Sequence, residues 1–374
     1  MRRFAHRFLT HILILVATMV AVSCKDKKDE PTPDPTPAHR TVLVYMVADN
    51  SLGSMGYDQA DIDEMIAGAR AGALDGGRLV VYRASQQYTY GAPQLIEITD
   101  KGETVTLKEY DTELYSTDPA RMEEVLADVA RLAPSEGLGL VLWSHANGWL
   151  GATPGTEDRY KAFGEDRGHY MTIQSLGRVL AGRGLDFVYA DCCLMGNIET
   201  AYELRTATSV FVASPTELSL EGMPYAENLP CLFAPEPDMV QAAKNTFEWY
   251  SSRNKNCQMT VIDTSALDAL ARESRRLWQA RTGYPDVTGI QTYVRSGNFC
   301  HTYDMEAYYE LLGADDAWRA ALDAAVTYKA TTLNAIGPIS IRRYCGLGSG
   351  VIRSESDITY RGYDTTQWWQ AISE

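Results

Sequence analysis

Along residues 40–264, apolar runs alternate with segments of helical periodicity. Thr41 to Val47 is uninterruptedly apolar after its first residue, as a strand buried on both faces requires. Leu79 to Arg83, Gly139 to Trp143, Asp186 to Ala190, Val210 to Ala213 and Met259 to Ile262 are further short runs of this kind. Residues 94–98 and 104–110 flank Asp100-Lys101-Gly102 and predict a hairpin. Between the runs, residues 54–71, 172–183 and 196–206 have helical spacing. Met122, Val125, Leu126, Val129 and Leu132 repeat at that spacing behind Asp118-Pro119, which is an N-cap and first-turn proline signal. Strands alternating with helices predict the α/β class, with a mostly parallel central sheet and helices on both faces. Beyond residue 264 the pattern is mainly helical until Ile339 to Ile341 and the Gly346–Gly350 region. In open sheets of this kind sites lie beyond the carboxyl ends of the strands. That rule selects Asp49-Asn50, Ser144-His145 and Asp191-Cys192-Cys193.

The first stretch departs from this pattern. Arg2, Arg3 and Arg7 precede an apolar run from Ile12 to Val22, which is short for a bilayer span and ends in small residues before Cys24. Residues 1–23 therefore read as a signal peptide, and the segment resembles a bacterial lipobox with Ala21 in place of the usual Leu. The resemblance implies cleavage before Cys24 and lipid attachment to its sulfur. The charged run Lys25 to Glu30 resembles the export tags of surface lipoproteins. Alternating prolines from Pro31 to Pro37 favour extended geometry and make residues 24–39 a semi-rigid stalk. The expected location is the bacterial outer membrane, facing the cell surface or otherwise the periplasm. The expected organisation is leader, stalk, a catalytic domain over 40–263 and a mainly helical part over 264–374 packed on it.

A formal charge of −15 argues against nucleic acid as a partner. Loss of the leader, whose only charges are its three arginines, takes it to −18. Of seven cysteines, Cys24 is assigned to lipid, while Cys231, Cys257, Cys300 and Cys345 are scattered without metal-ligand spacing and read as buried thiols or one or two bridges. Three of the six histidines, His6, His11 and His39, fall in the leader and stalk, and no His-Glu-x-x-His pattern exists. A metal-dependent hydrolase is disfavoured on that ground.

His145 and Cys193 carry the most chemistry. His145 follows a buried strand and precedes a Gly-containing turn, so its side chain is presented at the sheet's rim. Cys193 lies between a strand and a helix start, where the positive end of the helix dipole favours a thiolate. A neighbouring imidazole can shuttle the proton.

The blocks Leu142-Trp143-Ser144-His145-Ala146-Asn147-Gly148-Trp149 and Asp191-Cys192-Cys193-Leu194-Met195-Gly196-Asn197 resemble the two signature blocks of the clostripain family of cysteine peptidases. Val42 to Leu52, Ala213 to Tyr225, Tyr303-Asp304-Met305 and Tyr344 to Leu347 resemble further blocks, so the likeness extends over residues 40–372. It implies a caspase-like α/β/α sandwich and cleavage after Arg or Lys, with peptides or proteins as partners. By position, His145 is the general acid/base and Cys193 the nucleophile, with the backbone N–H groups of Ala146 and Cys193 as the oxyanion hole. Asp191 and Glu221 line the pocket for the basic side chain. Ala146 and Cys192 stand where the family has Gly and Ala, and Met223 where Trp is common. Self-cleavage, frequent in the family, is expected after Lys161 or Arg159. Calcium, used by some members, has no EF-hand-like loop to place it. The competing reading is a catalytically degenerate surface lipoprotein that binds peptides or glycans.

Overall fold

The computed structural model describes residues 37–85, 92–149, 163–294, 302–337 and 339–374, all within one compact unit that runs from Pro33 to Glu374. Its centre is a sheet of nine strands. Five form a parallel core: β1 (Ala38–Val47), β2 (Arg78–Ala84), β5 (Ser135–Trp143), β8 (Phe187–Asp191) and β9 (Val210–Ala213), in the order β2-β1-β5-β8-β9. The hairpin of β3 (Gln94–Ile98) and β4 (Thr104–Glu109) continues it antiparallel beyond β2. On the other side β10 (Gln258–Asp263) and β12 (Val326–Thr331) complete it, also antiparallel.

The alternation along β1 shows why these runs are apolar throughout. Leu43, Tyr45 and Val47 enter one core, with Leu140 and Leu142 of β5 and Val188 and Ala190 of β8. Val42, Val44 and Met46 enter the other, with Val141, Trp143, Phe187 and Tyr189. Each core is closed by the apolar stripes of helices. The first takes α3 (Pro119–Leu132), α4 (Ile173–Leu180), α5 (Ile198–Leu204) and α8 (Leu267–Ala280). The second takes α2 (Tyr57–Arg70), α6 (Tyr225–Leu232) and α7 (Met239–Ser251). The result is the expected three-layer α/β/α sandwich.

Several elements differ from the sequence pattern. The helix expected over 54–71 is α2, and a short further helix, α1 (Ser51–Ser54), precedes it, the two parted where Gly56 adopts φ +80°. Asp118 does not cap α3 with its side chain; its carboxylate accepts the Tyr115 N–H instead. A hairpin of β6 (Phe163–Asp166) and β7 (His169–Met171) follows the His145 block. Within the stretch read as helical beyond residue 264, β12 becomes an edge strand. Half of its residues are exposed, so it lacks the continuous apolar run that marks the inner strands. Tyr303–Asp304 (β11) pairs with Gly348–Ser349 (β15), and Asn334–Ala335 (β13) with Ile339–Ser340 (β14). The helices α9 (Met305–Leu311), α10 (Asp316–Ala325), α11 (Glu355–Ile358) and α12 (Gln367–Ser373) make up the rest of the C-terminal part.

Strand order reverses at β1, whose neighbours are β2 on one side and β5 on the other. The carboxyl ends of β1, β5 and β8 are therefore adjacent, and the loops leaving them diverge to open a crevice.

Candidate active site

Trp143, the last residue of β5, is paired in register with Asp191, the last residue of β8. The residues that follow each strand therefore emerge side by side. A small cleft at this point is lined by Trp143, His145, Asp191, Cys193, Leu218 and Gly222, among others. Its volume is about 40 Å³, space for two or three waters but not for a Lys or Arg side chain.

His145 is placed by backbone anchors. Its carbonyl accepts the Gly164 N–H at 3.0 Å. Its Nε2 lies 2.8 Å from the Ser51 hydroxyl at the start of α1. Ser144, just before it, donates to the Val47 carbonyl at 2.8 Å and accepts the Glu165 N–H at 3.1 Å. Asn50 joins these pieces. Its Nδ2 donates to the carbonyls of Val47 and Glu165, at 2.9 and 2.8 Å, while its Oδ1 accepts the Leu52 N–H as the N-cap of α1. One side chain thus ties the ends of β1 and β5 to the β6 strand. The strand-end rule selected Asn50 by position, but its hydrogen bonds reach residues remote in the chain and left no local signal.

Cys193 sits on a tight turn. Leu194 has φ +63°, a conformation that costs a non-glycine residue roughly 1–2 kcal/mol. Its N–H donates to the Thr216 carbonyl at 3.0 Å, and its carbonyl accepts Asn197 Nδ2 at 2.7 Å. Helix α5 begins only at Ile198, with Asn197 as its cap, and has seven residues. The dipole argument from the sequence therefore loses force, because the effect fades beyond a helix's first turn. A local donor takes its place: the Leu218 N–H points at Cys193 Sγ from 3.3 Å. Cys192 also borders the cleft, but it is buried in the core with Ala190 and Leu194, and burial pushes its thiol well above the ordinary range. Cys257 and Cys345 are likewise buried thiols, and Cys231 is a half-buried one.

A model of the clostripain family matches residues 44–365. The chain belongs to the clostripain family. It is a cysteine peptidase of that family, a hydrolase with a caspase-like fold. Among solved structures it is similar to an inactive zymogen C11 protease from Parabacteroides distasonis, at 28% identity and a TM-score of 0.80, over 91% of this chain and 99% of that one. It is also similar to a secreted C11 cysteine protease from Bacteroides thetaiotaomicron in complex with an irreversible peptide inhibitor, at 27% identity and a TM-score of 0.76, over 90% and 99% of the two chains. No curated protein matches it.

Two of the clostripain departures prove conformationally mild. Ala146 is not among the residues with positive φ, which falls on Gly148 instead. A side chain at 148 would meet Asn197 Nδ2 and the Leu194 carbonyl at about 2.5 Å, so the glycine is needed there. Cys192 fills a small core position that Ala would also fill.

The two acids expected to line a pocket are placed differently. Asp191 is buried at the cleft, where its Oδ2 accepts the Tyr225 hydroxyl at 3.0 Å. Burial pushes its carboxyl up to about 6, against the hydrogen bonds from Met223 and Tyr225. Glu221 is not among the cleft-lining residues. It is ion-paired to Lys255 and accepts the Ser219 hydroxyl, and although burial opposes them these contacts hold its carboxyl below the usual range. The structure adds an acid that the sequence reading missed. Asp61 of α2 is 2% exposed and accepts Trp143 Nε1 at 2.5 Å. On sequence alone Asp61 is one of five acids between residues 58 and 75, and nothing local separates it from the exposed ones.

Proposed function

We propose that the chain is an endopeptidase that cleaves after Arg or Lys, using Cys193 as nucleophile and His145 as general acid/base. The observation that carries this reading is the juxtaposition of His145 and Cys193, remote in sequence, on one cleft beside the buried carboxyl of Asp191. The Cys193 thiolate attacks the scissile carbonyl, and the oxyanion is held by backbone N–H groups. Loss of one such donor typically costs ~100–1,000-fold in rate. Among the described residues the Ala146 N–H makes no hydrogen bond, as a donor kept for substrate requires. His145 protonates the leaving amine, giving an acyl-enzyme, and then activates water for deacylation. Asp191 selects a basic side chain by charge-assisted contact, and a neutral occupant would leave it unpaired.

The cleft is too small for that side chain as it stands. The segment from Leu218 to Gly222 must shift outward on binding, and Glu221 can act as a second pocket acid only if Lys255 releases it. The self-cleavage sites after Lys161 and Arg159 lie outside the described residues, as does the lipid attachment site Cys24. Their roles, and a membrane-anchored surface location, are part of this proposal. Calcium has no cluster of three or more candidate ligands among the described residues.

The test is hydrolysis of fluorogenic Arg, Lys and Asp substrates by wild type, Cys192→Ala and Cys193→Ala. Activity on Arg or Lys that survives Cys192→Ala and disappears in Cys193→Ala is expected. Retention in Cys193→Ala would sink the assignment, and preference for Asp would sink the pocket reading. Intact masses of wild type and Cys193→Ala test self-cleavage, which predicts fragments in the first only.

A further inference from the structure

Asp191 lines the cleft and Asp61 does not, but both carboxyls come up to Gly222, which does line it. Gly222 stands between them with φ +66°, and a Cβ there would lie 3.0 Å from Asp191 Oδ2 and 3.2 Å from Asp61 Oδ2. Glycine leaves that space open. Both carboxyls are buried, and among the described residues neither has a cationic side chain within ion-pair distance. Asp61 receives its one hydrogen bond among those residues at Oδ2, from Trp143, and none at Oδ1. Two buried acids so placed, without a counter-ion, cannot both be ionised cheaply, so one of them keeps its proton.

We infer that Asp61 is a second carboxyl of the pocket for the basic side chain, and that it gives up a proton when the cation enters. This rests on the basic-pocket reading above. The surrounding charges agree with it. On α2, Asp58 is ion-paired to Arg83 through Oδ2 alone, and Glu64 accepts the Tyr225 N–H, with Glu227 and Arg253 acting on it in opposite senses; the charges of Glu64 and Asp58 both oppose ionisation of Asp61. From α6 and α7 the Tyr225 hydroxyl reaches Asp191 and the Tyr250 hydroxyl the Gly222 carbonyl; Tyr189 of β8 bonds Thr246. The first large influence on Asp61 is burial and the next is the Asp191 charge, which together push it to about 9. In the empty pocket at neutral pH the pair therefore carries one negative charge. When a guanidinium enters, the Asp61 O–H bond breaks, the proton passes to solvent, and two carboxylates face one cation. A guanidinium presents paired N–H groups in a fixed plane, which suits two carboxylates better than an ammonium does.

The experiment is calorimetry of N-acetyl-arginine amide binding to full-length Cys193→Ala, in buffers of different ionisation enthalpy. At pH 7.5 close to one proton should be released per ligand, and affinity should rise between pH 7 and 9 by up to about tenfold per unit. Adding Asp61→Asn should abolish both the release and the rise. The neutral isostere N-acetyl-citrulline amide should release none. Binding without proton release, or equal release with Asp61→Asn, overturns the role of Asp61 alone. Absence of binding to Cys193→Ala overturns the basic-pocket reading and this one with it. The proton count in Cys193→Ala decides the matter even if the double variant fails to fold.

Discussion

Single buried carboxyls carry much of the tension in this molecule. Glu199, in the first turn of α5, is fully buried and accepts the Gly350 N–H at 2.8 Å through Oε1. Burial pushes its carboxyl up to about 7 despite that bond. The unfolded chain releases the same proton near pH 4.3. Between those values the folded state binds more protons, so stability falls as pH rises and then levels off. The loss is on the order of 3 kcal/mol. Glu199→Gln, which keeps the shape and carries no charge, should flatten the dependence between pH 5 and 7. Urea melts of both proteins across that range would show it, and parallel curves would count against it.

At the scale of elements, the active cleft depends on a strap from Ser214 to Gly222 laid across Cys193. Gly196 N–H donates to the Ser214 carbonyl at 2.8 Å, fixing one end to the turn that carries Cys193. The other end is held through Glu221 by Lys255, which follows α7. Both partners are about a third exposed, and such pairs contribute roughly 0.2–1 kcal/mol. Lys255→Met should loosen the strap and leave Glu221 available to a basic substrate. Labelling of Cys193 by a basic-peptide chloromethyl ketone should then speed up by as much as about fivefold. A slower rate would mean that Lys255 orders the strap for substrate rather than restraining it.

Across the whole molecule, the C-terminal helix packs on α5, the helix that follows the Cys193 turn. Trp368 of α12 is fully buried and meets Tyr202 of α5 edge-on, with ring centroids 5.5 Å apart. Glu203 of α5 accepts the Gln367 N–H at 2.8 Å. Trp369 packs edge-on against Trp278 of α8, at 5.3 Å. Trp368→Ala should cost about 3–5 kcal/mol of stability. Because α5 follows the Leu194 turn, it should also lower kcat more than KM. A chemical melt and a kinetic comparison on a basic substrate check both parts, and an unchanged kcat would separate the two ends of the molecule.

The sequence by itself determined the layered α/β class and the strands of the parallel core, because continuous apolar runs such as Val42 to Val47 are a local consequence of burial on both faces. It also pointed to His145 and Cys193, since strand ends can be found from the same runs and the two blocks resemble a known family. The edge strand β12 escaped because one of its faces is wet and its pattern is weak. Asp61, the reach of Asn50 and the restraint of Glu221 by Lys255 were decided by tertiary structure alone. Each depends on which groups the topology brings within hydrogen-bond distance, and a carboxyl's chemistry is set by those neighbours and by loss of water, neither of which is written in the residues beside it.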